Sequence, residues 1–409
     1  MSDTKQVCFF VRSFPVLSQT FVLNQVKDLV AEGIDVHVLA VNPIKDSDGV
    51  VADIFGAEAS VKVSSILPNE HNTKSYLFML LGFLFCLFSS QRFTLIKLFF
   101  HFLRKKNKFL AKDLMCIAWF LKSRDIEIKN CIAHFGNNGV IFDYLIKADL
   151  VKCDNLFTIF HGYEISRYEQ LSIWEELYGK MGGKLLPISN HWKKKLESLG
   201  VASSRIDVVH MGVDVNRFAY SEKPVSNPFA ILSVARATEK KGLFYAIEAV
   251  LMCPLECTYT IIGDGVLLPE LQELVNDHRN GHRVVFKGAQ SSDFVAKSLK
   301  TTDLFLLPSI RDSSGDMEGI PVSLMEAMAS GVVVLSTVHS GIPELITDGE
   351  SGFLVPEKNS AAISNKIVEI RENDNLDDIR KCARTKVDDD FNATKLQAQL
   401  LKILKLKMV

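Results

Sequence analysis

Two glutamates, Glu318 and Glu326, stand eight residues apart in DSSGDMEGIPVSLMEAMASG, residues 312–331. Pro321 suits the first turn of a helix, where its missing N–H costs nothing. Glu318 and Gly319 therefore precede a helix, and Glu326 lies inside it. In a regular helix eight residues turn about 80° past two full turns and rise roughly 12 Å. Both carboxylates then reach one elongated ligand, with helix-start N–H groups near its middle. A ligand with hydroxyls at both ends and a diphosphate between them, a nucleotide sugar, has that shape. Carboxylates accept charge-assisted hydrogen bonds from hydroxyls. The bland reading of Glu326 is a surface position, but PVSLMEAMASG has few other polar residues to make a solvated face.

A second cluster is cationic. In VARATEKKG, Arg236, Lys240 and Lys241 lead into a helical pattern that starts at Leu243. Side-chain cations add to the free N–H groups and dipole of a helix start, which together attract phosphate. Arg offers a fork of donors and Lys a point charge. Taken alone, the run is equally a solvated basic turn. IIGDGVLLPEL, residues 261–271, reads as strand, Gly-Asp-Gly turn and helix, with Gly263 at the turn. It lacks the third glycine and the later acid of the dinucleotide fingerprint.

These residues need elements that aim them at one place. Apolar runs at 7–11, 35–41, 131–135, 156–161, 184–189 and 207–210 form a first series of strands. Runs at 229–235, 258–263, 283–288, 303–309, 332–337 and 352–355 form a second. Helical patterns lie between most of them, as at 21–32 and 243–252. Continuous apolar strands alternating with helices mean parallel sheets covered on both faces. The fold class is α/β, with two doubly wound, Rossmann-like domains facing across a cleft. The expected division is 1–212, 213–388 and a C-terminal helix in 389–409 that crosses back onto the first domain. The Gly-, Pro-, Ser- and Asn-rich stretch 210–228 is the connection. Ligands of such sheets bind beyond the carboxyl ends of the strands. His134, His161, Ser189, His210, Arg236, Gly263, Gly288 and Ser309 all follow apolar runs there. Each alone is equally a satisfied turn residue; together they point to a shared cleft.

The bulk numbers exclude some classes. The 409 residues carry 47 Lys+Arg against 48 Asp+Glu, a net charge of −1, which disfavours a nucleic-acid binder. The 8 cysteines are scattered, and CPLEC at 253–257 has no second pair or histidine to complete a zinc set. Free thiols fit a reducing, cytoplasmic compartment. No Asp-x-Asp metal pair sits in a suitable loop; the DDD run at 388–390 reads as a solvated helix–helix junction.

EGIPVSLMEAMASGVVVLST followed by GIPELITDGESGFLV closely resembles the signature of retaining family-four glycosyltransferases of the GT-B fold. SVARATEKKG, IIGDGVLLPEL and VVHMGVDVNRF resemble that family's phosphate motif, Gly-Asp-Gly turn and interdomain connection. RSFPVLSQTFVLNQVKDLVAEGIDVHVLA, IAHFGN and IFHGYEIS are similar, more specifically, to bacterial exopolysaccharide glycosyltransferases of the colanic acid type. Gln19 departs from that group, which often carries an acid there. The resemblance implies that Glu318 contacts donor-sugar hydroxyls and Glu326 the ribose. It implies that Arg236 and Lys241 bind the diphosphate, that Gly319 and Ile320 offer backbone N–H groups, and that the stretch around Gly288 flanks the base beside Gly263. His161 faces the donor sugar, with His134 on the acceptor side. No metal or other cofactor is implied. The partners are a nucleoside-diphosphate sugar and a saccharide acceptor, a lipid-linked oligosaccharide above all.

The apolar run at 76–88 is 13 residues long, short of the roughly 20 that span a bilayer. With FTLIKLFFHFLRKKNK it makes 76–108 either a basic amphipathic surface for the cytoplasmic face of the inner membrane or helices packed on the first sheet. Other chemistries fit less well. A glycogen-type phosphorylase needs a longer chain, and an epimerase lacks the polysaccharide-type first half. A glycoside hydrolase uses paired carboxylates but has no role for the phosphate motif. A sugar-nucleotide-binding assembly subunit without turnover keeps the same residues.

Overall fold

The computed structural model describes residues 6–16, 20–42, 54–55, 61–67, 92–122, 127–222, 224–276 and 278–406. Gln19 and 76–91 lie outside the described residues. The first sheet contains β1 (Gln6–Val11), β2 (Asp35–Ala40), β3 (Val61–Ser65), β4 (Glu127–His134), β5 (Lys152–Phe160) and β6 (Lys184–Pro187). The second contains β7 (Phe229–Val234), β8 (Cys257–Ile262), β9 (Val284–Phe286), β10 (Leu304–Leu307), β11 (Val333–Thr337) and β12 (Phe353–Val355). The orders are β3-β2-β1-β4-β5-β6 and β12-β11-β10-β7-β8-β9, and every pairing in both sheets is parallel. Each sheet therefore reverses its order once, between β1 and β4 in the first and between β7 and β10 in the second. Those switch points are where open α/β sheets take ligands.

Sequence explains the layering. Central strands such as β10, Leu-Phe-Leu-Leu, are buried along their whole length, as strands covered on both faces must be. One apolar core surrounds the first sheet, and two lie on the faces of the second. Thr20–Ala31 and Leu243–Met252 are helices, as their periodicity predicts.

Two expectations need correction. Residues 207–210 do not form a strand. They run extended beside β6, with Asp207 N–H donating to Leu185 and Val209 N–H to Pro187. β3 is a strand that apolar runs did not reveal, because Val61–Ser65 is short and only half-buried.

The described residues of 210–228 connect the domains without helix or strand. Val213 exchanges backbone hydrogen bonds with Phe391 and Ala393, at 2.9 and 3.0 Å. The helix Ala393–Ile403 then lays Leu400 and Leu401, followed by Leu404, into the core of the first domain. Asp388, Asp389 and Asp390 pair with Arg384, Lys395 and Lys386 at the junction ahead of that helix.

Candidate active site

The second domain contributes two loops from its switch point. After β7 the chain makes a tight turn, Glu239–Lys241, before the helix at Leu243. After β10 it runs from Pro308 to the helix Val322–Ala329. Ile310 N–H donates to the Lys240 carbonyl at 2.9 Å, and Ser313 hydrogen-bonds Glu239 through both N–H (2.9 Å) and hydroxyl (2.6 Å). Asp312 tightens the second loop by accepting from Ser314 N–H and Asp316 N–H at 2.8 and 2.9 Å.

The two loops meet at Glu318. Lys241 Nζ lies 2.9 Å from its Oε2 and Lys240 Nζ 3.3 Å from its Oε1. Glu318 is only 8% exposed. Burial raises its pKa, but Lys241 and Lys240 outweigh burial and hold it down to about 2. Lys240 also pairs with Asp316 at 3.3 Å. The Glu318 N–H donates to His339 Nε2 at 3.1 Å, which makes that nitrogen an acceptor, and His339 Nδ1 donates to Glu357 at 2.7 Å. Burial lowers the His339 pKa, in keeping with a neutral ring. Glu357 in turn accepts the Arg311 N–H at 2.9 Å.

Glu326 contrasts with this. It is half-buried on the helix Val322–Ala329, and no hydrogen bond reaches its carboxylate among the described residues. Burial pushes its pKa up to about 7 against a weaker pull from Arg217. Arg236 is exposed, with no ion pair among the described residues. Among those residues no acceptor takes the N–H of Gly319 or Ile320 either. Gly263 has φ +143°, and a Cβ there would strike the Ala235 carbonyl, so only glycine brings β8 this close to the Arg236 turn. Its N–H donates to the Gly288 carbonyl at 2.9 Å, which links two of the turns expected at the base.

The first domain faces these loops with rings rather than charges. His161 Nε2 lies 3.0 Å from His134 Nδ1, and the His161 ring packs on Phe21 and Phe135 at 4.3 and 4.6 Å. Burial lowers both histidine pKa values, His134 to about 3. His134 is 1% exposed. Its ring stacks on those of Phe9 and His161. Glu164, fully buried, accepts from His161 N–H at 2.8 Å and Gly136 N–H at 3.3 Å, tying the exits of β4 and β5 together. Burial raises its pKa to about 7.

Contacts across the cleft set its width. A Cβ on Gly319 would lie 2.5 Å from Ile188 Cδ1 and 3.8 Å from the His161 carbonyl, so a side chain there would have to displace the end of Ile188. Met317 N–H donates to Ser166 Oγ at 3.3 Å and Tyr168 N–H to the Ser314 carbonyl at 3.0 Å. Glu344 of the second domain accepts from Asn190 N–H and Nδ2 (both 2.9 Å), from His191 N–H (3.0 Å) and from His210 Nε2 (3.0 Å). Its carboxylate thereby caps the helix Asn190–Ser198 of the first domain.

Sequence reasoning did not single out Glu164, His339, Glu344 or Glu357. Glu164 and Glu344 lie within the quoted stretches IFHGYEIS and GIPELITDGESGFLV, and His339 and Glu357 lie just past strand ends. Among the described residues no group of three His, Cys, Asp or Glu is placed to hold a metal ion.

Residues 216–386 match the family model of glycosyl transferases group 1. The chain is 36% identical to WcaL of Salmonella typhimurium, named for colanic acid biosynthesis glycosyl transfer, over 98% of this chain and 99% of that one. A more distant relative is the Escherichia coli UDP-Gal:alpha-D-GlcNAc-diphosphoundecaprenol alpha-1,3-galactosyltransferase, 24% identical over 69% of this chain and 76% of that one. Anabaena HepE, solved in complex with UDP-glucose, superposes with a TM-score of 0.70 at 17% identity, covering 98% of this chain and 99% of that one. The chain belongs to the group 1 glycosyl transferases of the GT-B fold, in the same family as the colanic acid biosynthesis glycosyltransferase it matches from end to end.

Proposed function

We propose that the protein is a retaining glycosyltransferase that moves a sugar from a nucleoside-diphosphate donor to a saccharide acceptor, a lipid-linked oligosaccharide of cell-surface polysaccharide assembly. The observation that carries this reading is Glu318, kept ionised by Lys240 and Lys241 at the switch point of the second sheet. An ionised, positioned carboxylate accepts from donor-sugar hydroxyls, and the same cations lie where a leaving diphosphate gains charge. Arg236 and the free N–H groups of Gly319 and Ile320 add donors for that charge, preorganised before reaction. Glu326 accepts from ribose hydroxyls once it has lost its proton. Gly263 and Gly288 flank the base. His161, a neutral ring fixed by His134, faces the donor sugar.

In the chemical step the bond from the anomeric carbon to the diphosphate breaks. The acceptor oxygen forms its bond on the same face, and the acceptor proton passes to the departing phosphate oxygen. Configuration is kept without a covalent sugar–protein intermediate. Arg236 and the lysines serve the diphosphate, so the reaction uses no metal.

The relatives support the choice of partners: HepE was solved with UDP-glucose, and the galactosyltransferase is named for a diphosphoundecaprenol-linked acceptor. A membrane-side acceptor also suits the helix Arg92–Arg104. It exposes Phe100 (51%) and Leu103 (37%) beside Lys97 and Arg104, a mixture suited to an anionic bilayer surface on the cytoplasmic side. No helix among the described residues is long and apolar enough to cross a membrane.

The test is a thermal-shift screen against UDP-, GDP-, ADP- and dTDP-sugars and their free diphosphates. A ligand that binds only the folded state raises the melting temperature. The reading expects a shift with one nucleotide series that Arg236→Ala abolishes. Absence of any shift, together with absence of transfer to a lipid-linked acceptor, overturns it.

A further inference from the structure

A second cavity, of about 410 Å³, opens between the domains beside Met317. That size falls within the roughly 300–1,000 Å³ of small-molecule sites. Its walls come from both sides. Ile165, Leu171 and Trp192 belong to the first domain, Met317 and Arg311 to the second. The Met317 hydrogen bond to Ser166 closes one edge, so the cavity exists only while the domains meet in this way.

The lining has an unbalanced charge. Lys194, Lys195 and Arg311 reach it, and no carboxylate does. None of the three cations has an ion-pair partner among the described residues. Among the described residues the Arg311 side chain hydrogen-bonds only the thioether of Met317, at 3.3 and 3.2 Å, and sulfur is a weak acceptor for a guanidinium. Lys194 and Arg311 are exposed and Lys195 is half-buried, so the three charges stand at the cavity mouth. Three cations without an ion-pair partner among the described residues, beside the apolar walls of Leu171 and Met317, form a receptor for an anion attached to a less polar body.

We propose that this cavity binds an anionic group of the saccharide acceptor: a phosphate or diphosphate linked to its reducing end, or the carboxylate of an acidic sugar. The inference rests on the glycosyl-transfer reading above and extends it to the acceptor. Met317 lines the cavity and is followed directly by Glu318, so an acceptor anchored here is held next to the donor sugar. Lys194, Lys195 and Arg311 neutralise its charge, and Tyr168 and Leu171 line the space for its body.

The probes are geranyl diphosphate and methyl glucuronide, titrated calorimetrically with the donor site saturated by whichever nucleoside diphosphate the screen identifies. Three proteins are compared: the wild type, the Lys194→Glu/Lys195→Glu double variant and Lys193→Glu, a charge reversal on the same helix away from the cavity. The wild type should bind one probe, and which one names the source of the anion. The double variant should weaken that binding at least tenfold, Lys193→Glu less than twofold. Nucleotide affinity should be equal in all three, which also shows that each is folded. Failure of the wild type to bind either probe overturns the proposal. So does an equal loss in the double variant and Lys193→Glu, because that reports only the general field of the helix. A wild type that binds no nucleotide removes the transfer reading instead, and the same comparison, run without nucleotide, still decides the cavity.

Discussion

Glu318 and Glu326 are the same residue type eight positions apart, yet their surroundings drive them in opposite directions. Glu318 is the more deeply buried, and two lysines hold its pKa down to about 2. Glu326 is less buried but has no hydrogen-bond partner among the described residues, and its pKa rises to about 7. Pairing, not depth, decides which carboxylate is charged. Glu318 is a permanent anion over the physiological range. Glu326 stands at its midpoint near neutrality, ready to be pulled into the ionised form by a ligand that donates hydrogen bonds to it.

Breaking the paired member should have the largest effect. Lys241→Ala leaves Glu318 with the longer Lys240 contact alone and removes a cation from the leaving diphosphate. Loss of one preorganised group of this kind costs roughly 10²–10³-fold in turnover. We expect such a fall in kcat from steady-state transfer assays, with donor KM moving much less. A wild-type kcat in Lys241→Ala would show that the pair is structural only.

The unpaired member should give a smaller, pH-dependent effect. Donor binding needs the Glu326 carboxylate ionised, so donor KM should fall as pH rises through about 7, and Glu326→Gln should raise KM and flatten its profile. Stability carries the opposite sign. The folded carboxyl holds its proton up to about 7, whereas an unperturbed glutamate releases it near 4.5. Its contribution is therefore fully present below about 4.5 and is lost as pH rises through 7. Glu326→Gln should raise the melting temperature at pH 8 and leave it nearly unchanged at pH 4.5. Equal melting shifts at both pH values would mean that the carboxyl is not held protonated.

A third carboxylate, Glu344, is paired across the cleft rather than within a domain. Glu344→Ala removes three acceptor contacts at the start of the helix Asn190–Ser198 and a fourth with His210. Each is partly solvated, and we expect a fall of only about three- to tenfold in kcat/KM, on the scale of one or two hydrogen bonds. Small-angle scattering should show a more open pair of domains. An unchanged scattering curve would remove Glu344 from domain closure.

What the sequence made legible follows the same division between local and distant pairing. Both sheets could be read because buried parallel strands are continuous apolar runs, as in β10 and β11. β3 escaped because Val61–Ser65 is half-exposed, and 207–210 misled because a β-branched run says nothing about whether a partner edge is free. Glu318, Lys241 and Gly319 stand in short motifs whose local grammar exposes them. His339 and Glu357 stand outside those motifs, and Glu164 and Glu344 lie within motifs but take their roles from partners in other elements: Asn190 and Glu344 are 154 positions apart. The cover over His134 was invisible for the same reason, because Phe9 and Phe21 reach it from other elements.

The smallest expected effect is none. If Arg236, Lys240 and Lys241 carry the charge of the leaving diphosphate, transfer rates should be the same with EDTA as with added Mg²⁺ or Mn²⁺. This sharpens the comparison between the two glutamates, because both lysines are already committed to Glu318 and only Arg236 is unpaired. Unchanged rates in EDTA mean that the lysines serve the carboxylate and the phosphate together, as a shared cationic shelf. A rate lost in EDTA and restored by Mg²⁺ would assign the diphosphate to a metal and confine the lysines to holding Glu318. The Lys241→Ala defect would then fall on the sugar rather than on the leaving group, and a donor with a better leaving group would not rescue it.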